Sequence, residues 1–183
     1  MPIIDTKNNL PGMGGLIMYR KETGIPLAQF VDAVLTGNSE LSRYERELIC
    51  AYISFRNNCE YCFKSHTALA AKLSEQTNEE LISLFENVKN GEFLSRSKST
   101  VMLEIAENIR INYYDNIRHL SNDAIKHGFS EQAIHDIVLT ASLICMFNRY
   151  VDGLEARLPD NEGFYAMIAD KIAIQGYSMA GRM

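Results

Sequence analysis

The chain has 183 residues, of which 46% are hydrophobic and 22% are charged, with a formal net charge of −5 at pH 7. This composition is typical of one globular domain with a full core, and the acidic balance argues against a nucleic-acid or anionic-membrane partner. No apolar run approaches the roughly 20 residues of a membrane-spanning helix, and no basic-then-apolar leader is visible, so we expect a cytoplasmic protein.

The predicted elements begin after an irregular N-terminal arm. Residues 1–25 contain Pro2, Pro11 and four glycines, which predict loops rather than regular helix. From Pro26 onward apolar residues recur at helical spacing, and capping boxes begin at Ser42 and Thr77. Strand signals are scarce, so we predict an all-α bundle forming one domain over residues 26–183. The predicted helices cover approximately 26–36, 42–55, 59–73, 78–91, 99–113 and 116–126, followed by a long apolar helix after Ser130 and a last one after Pro159.

A pair of cysteines is the main chemical signal. Cys59 and Cys62 are separated by two residues at the predicted start of a helix, where two sulfurs lie close enough to form a disulfide. The unpaired N–H groups and the positive dipole end of a helix N-terminus favour thiolate over thiol. Because the thiolate is the form that attacks peroxides and disulfides, the pattern indicates a redox site. In the cytoplasm, paired cysteines are more often catalytic or metal-binding than structural.

Two titratable residues are placed where they could serve this pair. His66 lies four residues after Cys62, on the same helical face and one turn along. An imidazole there can take the thiol proton or protonate a leaving oxygen. Glu47 lies on the preceding helix and reaches the same pocket if the two helices fold back at residues 57–58.

The thiol pair is also compatible with a metal site or with incidental cysteines. Structural zinc needs four ligands, and Cys59, Cys62 and His66 supply only three. Glu47 is the candidate for a fourth, but we predict no bound metal. Covalent haem is disfavoured because Phe63, and not histidine, follows the second cysteine.

Two stretches resemble a known family. Residues 47–66 combine Glu-x11-Cys-x2-Cys-x3-His with Asn-x-Cys-x-Tyr-Cys, and this stretch closely resembles the AhpD-like core of alkylhydroperoxidases, within the carboxymuconolactone decarboxylase superfamily. Residues 135–154 contain Phe-Asn-Arg-x-x-Asp-x-Leu and resemble a helix of the peroxidase-related branch of that superfamily. Together the resemblances cover about residues 26–158.

The resemblance implies a helical protein that assembles into trimers or hexamers and reduces alkyl hydroperoxides in antioxidant defence. By matching position, Cys62 is the peroxidatic thiol, Cys59 the resolving thiol, and Glu47 and His66 relay protons. Tyr61 stands where AhpD has histidine, and a phenol with a pKa near 10 is a poorer proton carrier at neutral pH. The implied partners are a hydroperoxide and an external dithiol reductant, such as a lipoyl-carrying protein. No cofactor is expected.

Two other functions fit the same residues. A protein disulfide reductase or thiol-based redox sensor would exchange the pair with disulfides and would turn over peroxide poorly. A metal-binding oligomeric scaffold would use the sulfurs as ligands, although the local motif lacks a fourth ligand.

Overall fold

The computed structural model describes residues 2–92 and 96–177. Over those residues the chain forms nine α-helices and no strand, which confirms the predicted all-α fold. None of these helices is both long and apolar enough to cross a membrane. The helices are α1 (Gly12–Tyr19), α2 (Lys21–Thr36), α3 (Arg43–Asn57), α4 (Glu60–Leu73), α5 (Asn78–Asn90), α6 (Lys98–Arg110), α7 (Ile117–Lys126), α8 (Glu131–Gly153) and α9 (Gly163–Gln175).

Helix α3 forms the centre of the core. It packs against α4, α6 and α8, and every residue from Arg46 to Ser54 is buried. The side chains of Leu48, Ile49 and Tyr52 have no solvent exposure. Because α4 also packs along α9, the α3–α4 hairpin lies between the long helix α8 and the last helix. The candidate site residues on α3 and α4 are therefore held by the most buried part of the fold.

A tight turn joins α3 to α4 and places the cysteine pair. Asn58 ends α3 in the left-handed conformation, with φ 58°, which asparagine adopts more easily than most residues. The Cys59 N–H then donates to the Ser54 carbonyl at 3.0 Å. Helix α4 begins at Glu60, so Cys59 is its N-cap and Cys62 lies in its first turn. The hairpin predicted at residues 57–58 is present.

The irregular N-terminal arm is shorter than predicted. Helix α1 covers Gly12–Tyr19, and α2 begins at Lys21, so Pro26 lies inside α2 and not at its start. The glycines of this region lie within the helices and do not end them. At two of them the backbone of another segment lies too close for a side chain. A Cβ on Gly24 would lie 2.3 Å from the Ile17 carbonyl oxygen, and one on Gly15 would lie 2.4 Å from the Leu10 carbonyl oxygen.

Candidate active site

The two cysteines are free thiols and both are buried. Cys59 is 0% exposed and Cys62 is 3% exposed. The side chains of Cys59 and Cys62 are hydrogen-bonded to each other, and this bond shifts their pKa values in opposite directions. It is the largest influence lowering the pKa of Cys62, and it is also the largest influence raising the pKa of Cys59. Of the two thiols, Cys62 is therefore the one that loses its proton more readily.

Helix α8 supplies two further groups that act on the sulfurs. Asn148 is hydrogen-bonded to Cys62, which lowers the pKa of that thiol. Its amide is fixed in orientation, because it donates to Ser54 Oγ at 3.0 Å and accepts from Asn57 Nδ2 at 2.9 Å. The side chain of Asp152 is hydrogen-bonded to Cys59, and this contact adds to the rise in the pKa of Cys59.

Asn148 and Asp152 belong to the Phe-Asn-Arg-x-x-Asp-x-Leu motif found in the sequence. The motif was visible, but the sequence alone assigned no role to either residue. Their spacing of four places them on one face of α8, which was the available signal that both could approach one site.

The predicted acid and imidazole are in direct contact. His66 Nδ1 lies 2.6 Å from Glu47 Oε2, and the Glu47 side chain is completely buried. Burial disfavours the imidazolium ion, but the negative charge and hydrogen bond of Glu47 outweigh burial and raise the pKa of His66. The charge of His66 in turn contributes to lowering the pKa of Cys62. With Nδ1 held by the carboxylate, Nε2 is the nitrogen that remains available for proton exchange.

A tyrosine that the sequence analysis missed completes this arrangement. The Tyr177 hydroxyl lies 2.8 Å and 3.0 Å from the two Glu47 carboxylate oxygens, and 3.4 Å from His66 Nδ1. Burial, followed by the neighbouring Glu47 charge, raises the pKa of Tyr177, so its hydroxyl stays protonated and donates to the carboxylate. Glu47 thus has two donors, as a buried carboxylate requires.

Three contacts position Tyr177 at the end of α9. Arg43 of α3 donates to the carbonyls of Ala173 and Ile172, at 2.8 Å and 3.0 Å. Gly176 turns the chain with φ 72°, and the Tyr177 N–H donates to Asp32 Oδ1 at 2.6 Å. These contacts join residues more than 100 positions apart, so no local pattern in the sequence could have indicated them.

Removing the Tyr177 hydroxyl should destabilise the fold. We expect Tyr177→Phe to lower the free energy of unfolding by about 1–3 kcal/mol, because the buried Glu47 carboxylate loses one of its two donors. Chemical denaturation measures this loss. The matched control is Tyr113→Phe, since Tyr113 is 52% exposed and its hydroxyl makes no hydrogen bond with the described residues. Equal stability of the two variants would contradict the role of the hydroxyl.

Tyr61 lies beside the thiols, in surroundings that keep its hydroxyl protonated. Burial, followed by the charge on Cys62, raises the pKa of its phenol, which therefore keeps its proton throughout the physiological range. Its ring lies 6.2 Å from that of Tyr165 and packs directly against the backbone of Gly12. The weakness of Tyr61 as a proton relay stays a prediction, and its ring forms part of the wall of the site.

An apolar cavity of about 320 Å³ opens onto Cys62 and His66. Helices α1, α2, α8 and α9 form most of its wall, and nearly all of the lining is aliphatic or aromatic. Each of these four helices contributes at least two apolar residues to the wall, among them Met13 and Ile17, Val31 and Leu35, Ile144 and Phe147, and Met167 and Ile168. A cavity of this size and character suits a small organic molecule with an alkyl or aryl part.

The same residues do not form a metal site. Among residues 2–92 and 96–177, no group of three or more histidine, cysteine, aspartate or glutamate side chains is arranged to hold a metal ion. Glu47, the candidate fourth ligand, is instead engaged by His66 and Tyr177. The Glu47 carboxylate is therefore held by internal hydrogen bonds, and the metal-binding alternative stays untested.

Comparison with known proteins identifies a similar family for the part of the chain that holds four of the site residues. Residues 23–88, which contain Glu47, Cys59, Cys62 and His66, match the model of the carboxymuconolactone decarboxylase family. No curated protein matches the sequence.

Two solved structures have the same fold. The first is an uncharacterized peroxidase-related protein from Silicibacter sp. TM1040, with a TM-score of 0.74 and 24% identity over 85% of this chain and 78% of that one. The second is an uncharacterized peroxidase-related protein from Ralstonia eutropha JMP134, described as an alkylhydroperoxidase AhpD core. It has a TM-score of 0.73 and 18% identity over 87% of this chain and 81% of that one. The family match confirms the resemblance found in residues 47–66, and the two solved structures confirm the helical fold.

Proposed function

We propose that this chain, whose residues 23–88 match the carboxymuconolactone decarboxylase family model, reduces organic hydroperoxides with the Cys59–Cys62 thiol pair. The observation that carries the proposal is the buried thiol pair at the start of α4, with His66 held by Glu47 one turn along. In these surroundings the pKa of Cys62 is lowered and that of Cys59 is raised. One buried thiolate next to one protonated thiol is the state that a two-cysteine peroxidase needs before its substrate arrives.

The proposed reaction has two steps within the chain. The Cys62 thiolate attacks the terminal oxygen of the hydroperoxide; the O–O bond breaks, Cys62 becomes a sulfenic acid, and the leaving alkoxide takes a proton to become an alcohol. His66 supplies that proton, and Glu47 stabilises the imidazolium before transfer. The Cys59 thiol then attacks the sulfenic sulfur, so that a disulfide forms and one water molecule leaves. Each cycle oxidises two thiols by two electrons and reduces one peroxide.

An external dithiol would restore the pair by thiol–disulfide exchange. Because Cys59 is 0% exposed and Cys62 only 3% exposed, the reductant must bring a slender dithiol into the cavity, and a lipoyl group fits this requirement. The same burial makes a folded protein disulfide a poor substrate, which disfavours the alternative of a protein disulfide reductase. The cytoplasmic location and assembly into trimers or hexamers stay predictions.

The function is tested by titrating the reduced protein with cumene hydroperoxide. We expect one equivalent to be consumed and the Cys59–Cys62 peptide to lose two hydrogens by mass spectrometry. Cys62→Ser should consume none. Cys59→Ser should consume one equivalent and stop at a sulfenic acid on Cys62, which dimedone traps. Cys50→Ser is the matched control, because Cys50 is buried outside the pair and should not alter the stoichiometry.

Two results would overturn the proposal. Unchanged peroxide consumption by Cys62→Ser would remove Cys62 as the attacking thiol. No peroxide consumption by the wild type, together with rapid oxidation of the pair by protein disulfides, would assign the chain to the disulfide reductases.

A further inference from the structure

Apart from the reactive pair Cys62 and His66, the described wall of the cavity carries one formal charge. This charge belongs to Lys171 on α9, which is exposed. It makes no ion pair or hydrogen bond with the described part of the chain. The neighbouring carboxylate, Asp170, is already paired with Lys72, with Nζ and Oδ1 2.8 Å apart. Lys171 therefore places an ammonium that no described residue pairs with where the cavity meets solvent.

The rest of the wall determines which part of a ligand the cavity can hold. Apolar side chains from four helices surround the space next to Cys62, so binding energy comes mainly from burying hydrocarbon. Hydrogen peroxide has no hydrocarbon to bury and gains nothing from these walls. A ligand with an alkyl chain and a single anionic group would satisfy both the apolar wall and the ammonium of Lys171.

On the basis of the proposed function, we propose that the substrates are hydroperoxides of medium- or long-chain carboxylic acids, with the chain in the cavity and the carboxylate on Lys171. The peroxide group lies at Cys62 and is reduced to the alcohol by the two-thiol reaction given above. The carboxylate takes no part in bond making or breaking. Lys171 acts as a specificity residue and selects the free acid over its ester.

Binding can be measured without any peroxide chemistry. The probe is the protection of Cys62 from iodoacetamide by decanoate, with methyl decanoate as the uncharged comparison. We expect decanoate to protect at about fivefold lower concentration than the ester, as a partly exposed ion pair allows. Lys171→Gln should abolish this preference and Lys171→Glu should reverse it. Lys126→Gln is the charge-matched control, since Lys126 is exposed on α7 and does not line the cavity, and it should keep the wild-type preference.

Turnover of linoleic acid hydroperoxide and of its methyl ester, both below their micellar concentrations, completes the test. We expect kcat/KM to be about fivefold higher for the acid in the wild type and in Lys126→Gln, but not in Lys171→Gln. Equal turnover of acid and ester by the wild type would overturn the inference and leave the peroxidase function standing. Protection by decanoate without turnover of any hydroperoxide would overturn the peroxidase function and leave the carboxylate site standing.

Discussion

Glu47→Gln should lower the rate at which Cys62 reacts with peroxide by about 100-fold at neutral pH, the scale expected for loss of a positioned acid–base group. The substitution keeps the shape of the side chain and can still accept hydrogen bonds from Tyr177 and His66. It removes the negative charge that counters the effect of burial on His66. Without that charge, the pKa of His66 falls, and Cys62 loses the imidazolium that favours its thiolate.

The measurement is the pH profile of Cys62 alkylation together with single-turnover peroxide reduction. In the variant, the alkylation profile should move to higher pH. Glu75→Gln is the matched control, because Glu75 is exposed and makes no contact with the site residues. An unshifted profile in Glu47→Gln would show that Glu47 acts only as a structural acceptor.

The same pair affects stability in a defined pH range. The pKa of His66 is raised in the folded chain above its ordinary value of 6.5, so the folded state binds this proton more tightly than the unfolded chain does. The resulting stabilisation is complete below pH 6.5 and is lost as the pH rises through the folded pKa. Glu47→Gln should therefore lack this pH dependence in urea denaturation.

Gly12→Ala should be the most damaging single-methyl change near the site. Gly12 begins α1 with φ 51°, a conformation that costs alanine about 1 kcal/mol or more. An added Cβ would also lie 2.0–2.3 Å from three ring atoms of Tyr61, so either the ring or α1 must move. We expect the free energy of unfolding to fall by about 2–4 kcal/mol.

Displacement of α1 should also open the cavity. Met13 and Ile17 of α1 belong to the wall, so alkylation of Cys62 by a bulky maleimide should be faster in Gly12→Ala than in the wild type. Gly14→Ala is the control, since its added Cβ would meet only the Leu10 Cβ, at an ordinary 3.7 Å. Wild-type stability and alkylation rates in both variants would show that the contact between Gly12 and the Tyr61 ring does not fix the position of α1.

Most of the fold could be predicted from the sequence because its signals are local. The capping boxes at Ser42 and Thr77 mark the starts of α3 and α5, and both are formed as expected. Helix α1 could not be predicted because its glycines usually indicate turns. Here the glycines allow close backbone contacts, such as that between Gly24 and Ile17. These contacts depend on how α1 and α2 pack together.

The residues of the site also fall into two groups: those that local spacing predicts and those that only the packing of distant helices brings close. Glu47, Cys59, Cys62 and His66 lie within one hairpin, so their spacing was enough to indicate that they meet. Asn148 and Asp152 approach the sulfurs only because α8 packs against α3. Tyr177 depends on contacts from α2 and α3 that no local pattern encodes.

Because the site depends on α9 and on Tyr177 at its end, it stays incomplete for part of protein synthesis. Glu47 leaves the ribosome 130 residues before Tyr177, and His66 leaves it 111 residues before Tyr177. At about 5–20 residues per second, that interval lasts roughly 5–25 seconds. During it, the carboxylate lacks its tyrosine donor and the cavity lacks the wall that α9 provides. The nascent chain therefore carries both thiols for several seconds before the surroundings that control their reactivity are complete.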